Sequence, residues 1–190
     1  MKVCFALLCF ALFNGNVLMA QTENGPTSEH PFGKPNPNAP KEISDYQPLI
    51  GLCDCSSYRK GKDNNWLPPI AMTWEFKYIM NGMAVQDETL KADSIHTGSI
   101  RQFNADSNTW YVHYYTTAVA SPSLKTWKGG TVNNNIVLYT DQPSPNGLEG
   151  FYKITFSDIS EDGFNWLGAW VNKDESIVFP TWKIECKKRK

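Results

Sequence analysis

Apolar and polar residues alternate with a period of two through much of the chain after residue 50. Successive side chains of a strand point to opposite faces, so this pattern predicts strands with one buried face. The clearest run is AMTWEFKYIM, whose apolar positions are Met72, Trp74, Phe76 and Tyr78. Helical periodicity is almost absent, and the only candidate is a single turn over residues 44–50.

Turn sequences divide these runs into about ten predicted strands. Asn81-Gly82 separates AMTWEFKYIM from MAVQDETLK, and Asn-Gly is a strong hairpin signal because a type I′ turn needs positive φ at both central residues. Three further hairpins are predicted around the turn sequences NADSN, GTVNNN and SDISEDG. The first predicted strand is GLCDCSSY and the last is SIVFPTWKIECKK.

A meander of this length leaves two exposed edges unless its first and last strands pair. We therefore predict an all-β fold with a single up-and-down antiparallel barrel of about ten strands, preceded by a short helical turn. Pro180 lies inside the last predicted strand, where it predicts a bulge or local break.

The residues before the barrel have a different character. Residues 1–20 are predicted to be a signal peptide that is cleaved after Ala20. They contain Lys2, an apolar run after it, and the small residue Ala20 at the cleavage position. Residues 21–43 are rich in Pro and Asn and are predicted to form a disordered linker. The barrel domain then spans residues 44–190. The expected location is secreted, periplasmic or otherwise extracytoplasmic, without membrane insertion after cleavage.

The charge balance argues against a nucleic-acid partner. The chain has a net charge of −1, and loss of residues 1–20 removes one lysine and no acidic residue, which leaves −2. Nucleic-acid binding usually needs a basic field. The basic cluster at residues 187–190 is interpreted as a solvated strand end. The sequence does not indicate an oligomeric state.

Four stretches of the chain, in this order and spacing, follow a known family pattern. They are YQPLIGLCDC, WEFKYIMNGMAVQ, GSIRQFNADSNTWYVHYYTT and FSDISEDGFNWLGAW. They resemble the lipocalin-like (calycin-type) β-barrel family of small, mostly bacterial proteins of uncharacterised function, and the resemblance covers Asp45 to Arg189. It implies a lipocalin-like barrel with a cavity but no particular ligand, because one fold serves many functions.

The chain departs from the lipocalin pattern at Cys53, which stands where that pattern has a tryptophan. Cys53 and Cys55 share a strand face about 6.5–7 Å apart, too far for a bond between them. Either can meet Cys186 on the closing strand, so we predict one disulfide, Cys55–Cys186 or Cys53–Cys186, and one free thiol. A zinc site from these cysteines is disfavoured, because structural zinc sites usually use Cys-x₂₋₄-Cys on a turn. No metal or cofactor is expected.

The aromatic content of seven Trp and eight Tyr has two interpretations. One is core filling, and the other is a cavity lined with rings and a few polar groups, as small-ligand pockets usually are. The pattern does not decide whether the 109–116 strand turns Trp110, Val112 and Tyr114 or Tyr111, His113 and Tyr115 inward. Arg101 is an anion anchor if it points inward and a solvated residue if it points outward. The candidate ligand-binding residues are Trp74, Phe76, Tyr78, Arg101, His113, Tyr115, Trp166 and Trp170.

The sequence carries no nucleotide-binding loop, serine nucleophile elbow or His-Glu-x-x-His motif. The favoured hypothesis is an exported, non-catalytic barrel protein that binds a small, partly apolar ligand in its interior. The alternatives are an enzyme that uses Arg101, His113 and a carboxylate such as Glu75 or Glu88, and an inert structural or interaction module. The barrel interior distinguishes these hypotheses, because binding needs a void of several hundred Å³.

Overall fold

The computed structural model describes residues 23–190. The predicted signal peptide, its cleavage position after Ala20 and the first two linker residues lie outside this range. A 3₁₀ helix spans Lys41–Leu49. The ten strands are β1 (Gly51–Arg59), β2 (Ile70–Ile79), β3 (Ala84–Lys91), β4 (Thr97–Asn104), β5 (Thr109–Thr116), β6 (Lys125–Val132), β7 (Asn135–Asp141), β8 (Gly150–Ser160), β9 (Gly163–Asn172) and β10 (Val178–Lys188).

The ten strands form one closed antiparallel barrel. Each strand pairs with its neighbours in the chain, and β1 pairs with β10. This confirms the predicted up-and-down barrel, and its architecture is consistent with a lipocalin-like fold. The register between β9 and β10 shifts between Pro180 and Trp182, which confirms the irregularity predicted at the proline. Within residues 23–190, no helix is long and apolar enough to cross a membrane.

The β2–β3 turn lies where Asn81-Gly82 predicted it but is longer than a two-residue I′ turn. β2 ends at Ile79 and β3 begins at Ala84, so the loop has four residues. Met80, Asn81 and Gly82 all have positive φ, at 53°, 54° and 81°. A Cβ on Gly82 would lie 2.4 Å from the carbonyl oxygen of Lys34, so the segment before the barrel packs directly onto this turn.

That segment, residues 23–40, was expected to be part of a disordered linker but makes specific hydrogen bonds to the barrel. The backbone N–H of Asn24 donates to Oδ1 of Asn81 at 2.9 Å. The backbone N–H of Tyr78 donates to the carbonyl oxygen of Phe32 at 2.9 Å. Backbone hydrogen bonds of this kind do not depend on apolar composition, which is why the composition misled the prediction.

The 3₁₀ helix seals one end of the barrel, which we call the closed end. It begins at Lys41, three residues earlier than predicted, and its Tyr46 and Leu49 are fully buried. The Tyr46 ring stands edge-on to Trp110 at a centroid distance of 4.7 Å. The indole N–H of Trp110 donates to the Asp45 carboxylate at 3.0 Å. Together these contacts fix the helix across the barrel opening.

A disulfide joins the first strand to the last. Cys55 and Cys186 lie directly opposite each other in the β1–β10 register, with Cα atoms 4.2 Å apart, and their sulfurs are bonded. Cys53 lies opposite Lys188 on β10 and opposite Trp74 on β2, so it does not face Cys186. Of the two predicted pairings the structure therefore has Cys55–Cys186, and Cys53 is a buried free thiol.

Reduction of the disulfide should destabilise the barrel strongly. It links residues 131 positions apart, so its loss frees the unfolded chain and should cost about 4–5 kcal/mol in the chain-entropy model. We expect the urea midpoint to fall by about 2 M or more when reductant is added. The Cys53→Ala variant keeps the disulfide, so its urea midpoint should show the same fall when reductant is added. Mass mapping shows whether the wild-type disulfide has been reduced. If it has been reduced and the urea midpoint is unchanged, the disulfide does not have this stabilising role.

The Cys53 thiol should be unreactive in the native protein. Its side chain is fully buried, and burial raises its pKa to about 11, so the thiol is protonated near neutral pH. We expect no modification by a thiol reagent at pH 8 until the protein unfolds. Stoichiometric labelling of folded protein would instead show that β1 opens at this position.

Candidate functional site

A cavity of about 330 Å³ lies inside the barrel, and all ten strands contribute to its lining. It occupies the half of the barrel away from the 3₁₀ helix. Arg59 at the end of β1, Lys125 at the start of β6 and Gln142 just after β7 lie at its outer limit. We call this side the open end. The volume is near the lower limit of small-molecule sites, which range from about 300 to 1,000 Å³.

One wall of the cavity is aromatic. Trp74 packs against Phe156 and Trp166, with ring centroids 5.8 and 6.5 Å away. Trp166 in turn packs edge-on against Trp182 at 4.8 Å. Below them, Phe76 contacts Trp74 at 5.2 Å and fills the barrel towards the closed end. The rings thus form both a side wall and a floor.

The facing wall, on β3 and β4, is polar. Its side chains are Asp87, Thr89, Thr97, Ser99 and Arg101, and all five are buried. They satisfy one another: the hydroxyls of Thr89 and Thr97 are 2.7 Å apart, and Ser99 donates to Oδ1 of Asp87. The indole N–H of Trp74 donates to Oδ2 of Asp87 at 2.8 Å. Each oxygen of this carboxylate therefore accepts a hydrogen bond from the protein.

Arg101 lies at the inner end of the polar wall, and its side chain is almost fully buried. Its Nη1 contacts the Asp87 carboxylate, and its guanidinium carbon lies 5.0 Å from the ring centroids of both Tyr46 and Phe76. Neither Nε nor Nη1 has a partner with hydrogen-bond geometry. Burial lowers the Arg101 pKa, but a guanidinium stays charged in proteins.

Two further cations lie at the open end, and both are exposed. The guanidinium carbon of Arg59 lies 3.5 Å from the Trp182 ring centroid. Lys125 donates to Oε1 of Gln142 at 3.0 Å. Partial burial lowers the pKa of both cations. The charged side chains of the lining are therefore three cations and the Asp87 carboxylate, which gives the cavity a net positive charge.

Three of the residues predicted for ligand binding, Trp74, Arg101 and Trp166, line the cavity. Phe76 and Tyr78 share the inward face of β2 with Trp74 but lie nearer the closed end, outside the lining. Phe76 helps to form the floor.

The structure places His113 and Tyr115, two of the candidate ligand-binding residues, on the outer face. β5 turns Val112 and Tyr114 into the cavity, so the residues between and after them point outward. Nδ1 of His113 lies 2.9 Å from Oγ1 of Thr126. The Tyr115 hydroxyl accepts a hydrogen bond from Gln86 at 2.9 Å.

Trp170 lies opposite Tyr152, a lining residue, in the β8–β9 register, but it is itself outside the lining. Its indole N–H donates to the carbonyl oxygen of Gln142 at 2.8 Å. It therefore supports the edge of the open end rather than the cavity wall.

The residues of the alternative enzyme hypothesis do not converge. Arg101 is inside the barrel and His113 is outside it. Glu75 forms an ion pair with Lys77 at 3.1 Å, and Glu88 lies opposite Glu75 in the register, on the outer face. Within residues 23–190, no group of three or more His, Cys, Asp or Glu side chains is placed to hold a metal ion.

Sequence reasoning missed several lining residues. Asp87, Thr89 and Ser99 were missed because a run of polar residues on one strand face is normally interpreted as the solvent-facing side of the strand. The alternation in β3 already indicated their orientation. Val85, Asp87 and Thr89 lie on the same strand face, and the apolar Val85 marks that face as the inward one. The other missed side chains are Arg59, Thr97, Val112, Tyr114, Lys125, Trp127, Leu138, Gln142, Tyr152, Ile154, Phe156, Thr181, Trp182 and Ile184.

Comparison with known proteins gives no assignment: no family model matches the chain, and no curated protein matches it.

The buried pair of Arg101 and Asp87 should be strongly coupled. Asp87→Asn keeps the shape of the side chain but leaves the guanidinium without a counter-charge, which should cost about 3–5 kcal/mol in urea unfolding. The double variant Asp87→Asn/Arg101→Met removes both charges and should be more stable than Asp87→Asn alone. As a control, Lys77→Met breaks a half-exposed pair on the outer face and should cost at most about 1 kcal/mol. If the double variant loses as much free energy of unfolding as Asp87→Asn and Arg101→Met lose in sum, the two charges do not interact.

Proposed function

We propose that this protein is an exported, non-catalytic binding protein that takes a small, partly apolar ligand into its barrel. The observation that carries the proposal is the cavity of about 330 Å³ between an aromatic wall and a polar wall. Small-molecule sites usually combine mostly apolar walls with a few placed polar groups. A barrel that served only as a structural module would gain stability by filling this space.

Two observations support export. The Cys55–Cys186 bond is typical of oxidising compartments. The first twenty residues have the composition of a signal peptide. The closed ten-strand barrel also fits the lipocalin-like resemblance, whose architecture encloses a cavity.

The proposed binding residues follow the lining. Trp74 and Trp166 would contact the apolar part of the ligand, and Arg101 would contact a polar part. The proposal of binding without catalysis rests on Arg101 and His113 lying on opposite faces of the barrel wall. The enzyme hypothesis required them to act on one substrate.

A direct test is native mass spectrometry of the protein purified from its source without denaturation. We expect a bound molecule that survives gentle desolvation and leaves on activation. Its size should match a cavity of about 330 Å³. Repeated preparations that contain only ligand-free protein would count against the proposal.

A matched pair of variants tests whether binding occurs in the cavity. Ile154 lines it, and the next residue, Thr155, has the opposite parity on the same strand. Ile154→Phe should fill part of the cavity and abolish the bound mass, whereas Thr155→Phe should retain it. Thermal unfolding confirms that both variants fold. Equal retention by both variants would place the ligand elsewhere.

A further inference from the structure

Arg59, at the mouth of the cavity, is a charged side chain that no protein partner holds by a hydrogen bond. It is the last residue of β1 and lies at the outer limit of the lining. Within residues 23–190, its guanidinium forms no ion pair and donates no hydrogen bond to a protein group. Lys125, the other cation of the open end, is instead fixed by its hydrogen bond to Gln142. The two cations of the mouth therefore differ in how firmly they are held.

The contact that positions Arg59 is a stack on an indole ring. Its guanidinium carbon lies 3.5 Å from the Trp182 ring centroid, and the two residues are directly opposite each other in the β1–β10 register. The Trp182 ring leans into the barrel, because its N–H donates to Ser57, which lies deeper on β1. The guanidinium therefore covers this ring on the side of the mouth.

The Arg59 side chain also reaches towards the far side of the mouth. Burial lowers the pKa of Arg59, whereas Tyr152 on β8 and Tyr114 on β5 lie close enough to raise it. Both tyrosines line the cavity. Strand β5 lies almost opposite β1 in the order of the closed barrel. A side chain that extends towards these two rings covers part of the mouth.

The ring under Arg59 is fixed, but Arg59 itself is not. Trp182 packs edge-on against Trp166 at 4.8 Å and donates its N–H to Ser57. A cation over an aromatic ring at an exposed site is a weak contact, and Arg59 is exposed. Arg59 can therefore leave the ring while the barrel wall beneath it keeps its contacts.

We infer that Arg59 is the gate of the cavity: its guanidinium covers the mouth while it is stacked on Trp182, and it leaves this ring to admit a ligand. This inference rests on the proposed function and specifies how the same site is entered. The gate is a bulky cation, so it slows the entry of small molecules in general and slows that of anions least. Arg59 thus sets the rate of entry, whereas the walls of the cavity set the affinity.

A cysteine in the cavity wall measures entry without any knowledge of the ligand. Ile154→Cys places a thiol in the lining, and Cys53→Ala removes the native free thiol from the same protein. The probe is iodoacetamide, a small neutral reagent that alkylates thiolates, applied at pH 8. Peptide mass mapping counts alkylation at position 154 alone, and thermal unfolding confirms that each variant is folded.

Two substitutions of the gate should speed this alkylation. Arg59→Ala should raise the rate at position 154 about fivefold, because a gate held by a weak contact is open in only a minor fraction of the molecules. Arg59→Lys should raise it almost as far, because an ammonium lacks the planar face with which a guanidinium stacks.

Matched controls separate gating from a general loosening of the barrel. Thr155→Cys carries its thiol on the outer face of the same strand, and its alkylation rate should not depend on Arg59. Arg189→Ala removes an exposed arginine that pairs with Asp54 on the outer surface, and it should leave the rate at position 154 unchanged. Iodoacetate has nearly the size of iodoacetamide but is an anion. Arg59→Ala should therefore raise its rate less than that of iodoacetamide, whereas a loosened barrel would raise both rates equally.

The outcomes separate the gate from the proposed function. An unchanged rate at position 154 in Arg59→Ala overturns the gate, even if native mass spectrometry finds a bound molecule. An equal rise in Arg59→Ala and Arg189→Ala also overturns it. A faster rate in Arg59→Ala alone supports the gate. If the purified protein is nevertheless always empty, the binding function fails while the gate stands as a property of the barrel.

Discussion

The pairing of the first strand with the last is the constraint on which the rest of this structure depends. Seven residue pairs join β1 to β10, from Cys53 and Lys188 to Arg59 and Trp182. The disulfide between Cys55 and Cys186 lies among them. Without this closure the sheet would have two open edges and no interior. With it, each strand has one face towards the cavity or core and one towards solvent.

The cavity exists because the two halves of the barrel are filled differently. Towards the closed end, Phe76 packs edge-on against Phe164, and the Arg101 guanidinium carbon lies 5.0 Å from the ring centroids of both Phe76 and Tyr46, so these side chains fill the interior. Towards the open end, the short side chains of Thr89 and Thr97 face an aromatic wall. Short side chains opposite large rings do not meet across a barrel of ten strands, so a space remains between them.

The sequence predicted the architecture well and the site only in part. Alternation and turn residues were sufficient for the ten strands, because both are local. The inward face of β5 was not predictable, since both of its faces are rich in rings. It depends on the register that puts Val112 between Arg101 and Trp127. The hydrogen bonds of residues 23–40 were missed for a related reason, because they depend on contacts with the distant β2–β3 turn.

A crystal structure of the protein purified without denaturation would test the central claim most directly. The account predicts connected electron density in the cavity, between the aromatic wall and the polar wall, that belongs to a small molecule. The body of the molecule should extend along Trp74 towards the open end. An interior closed by rearranged side chains, with no ligand in it, would contradict the account.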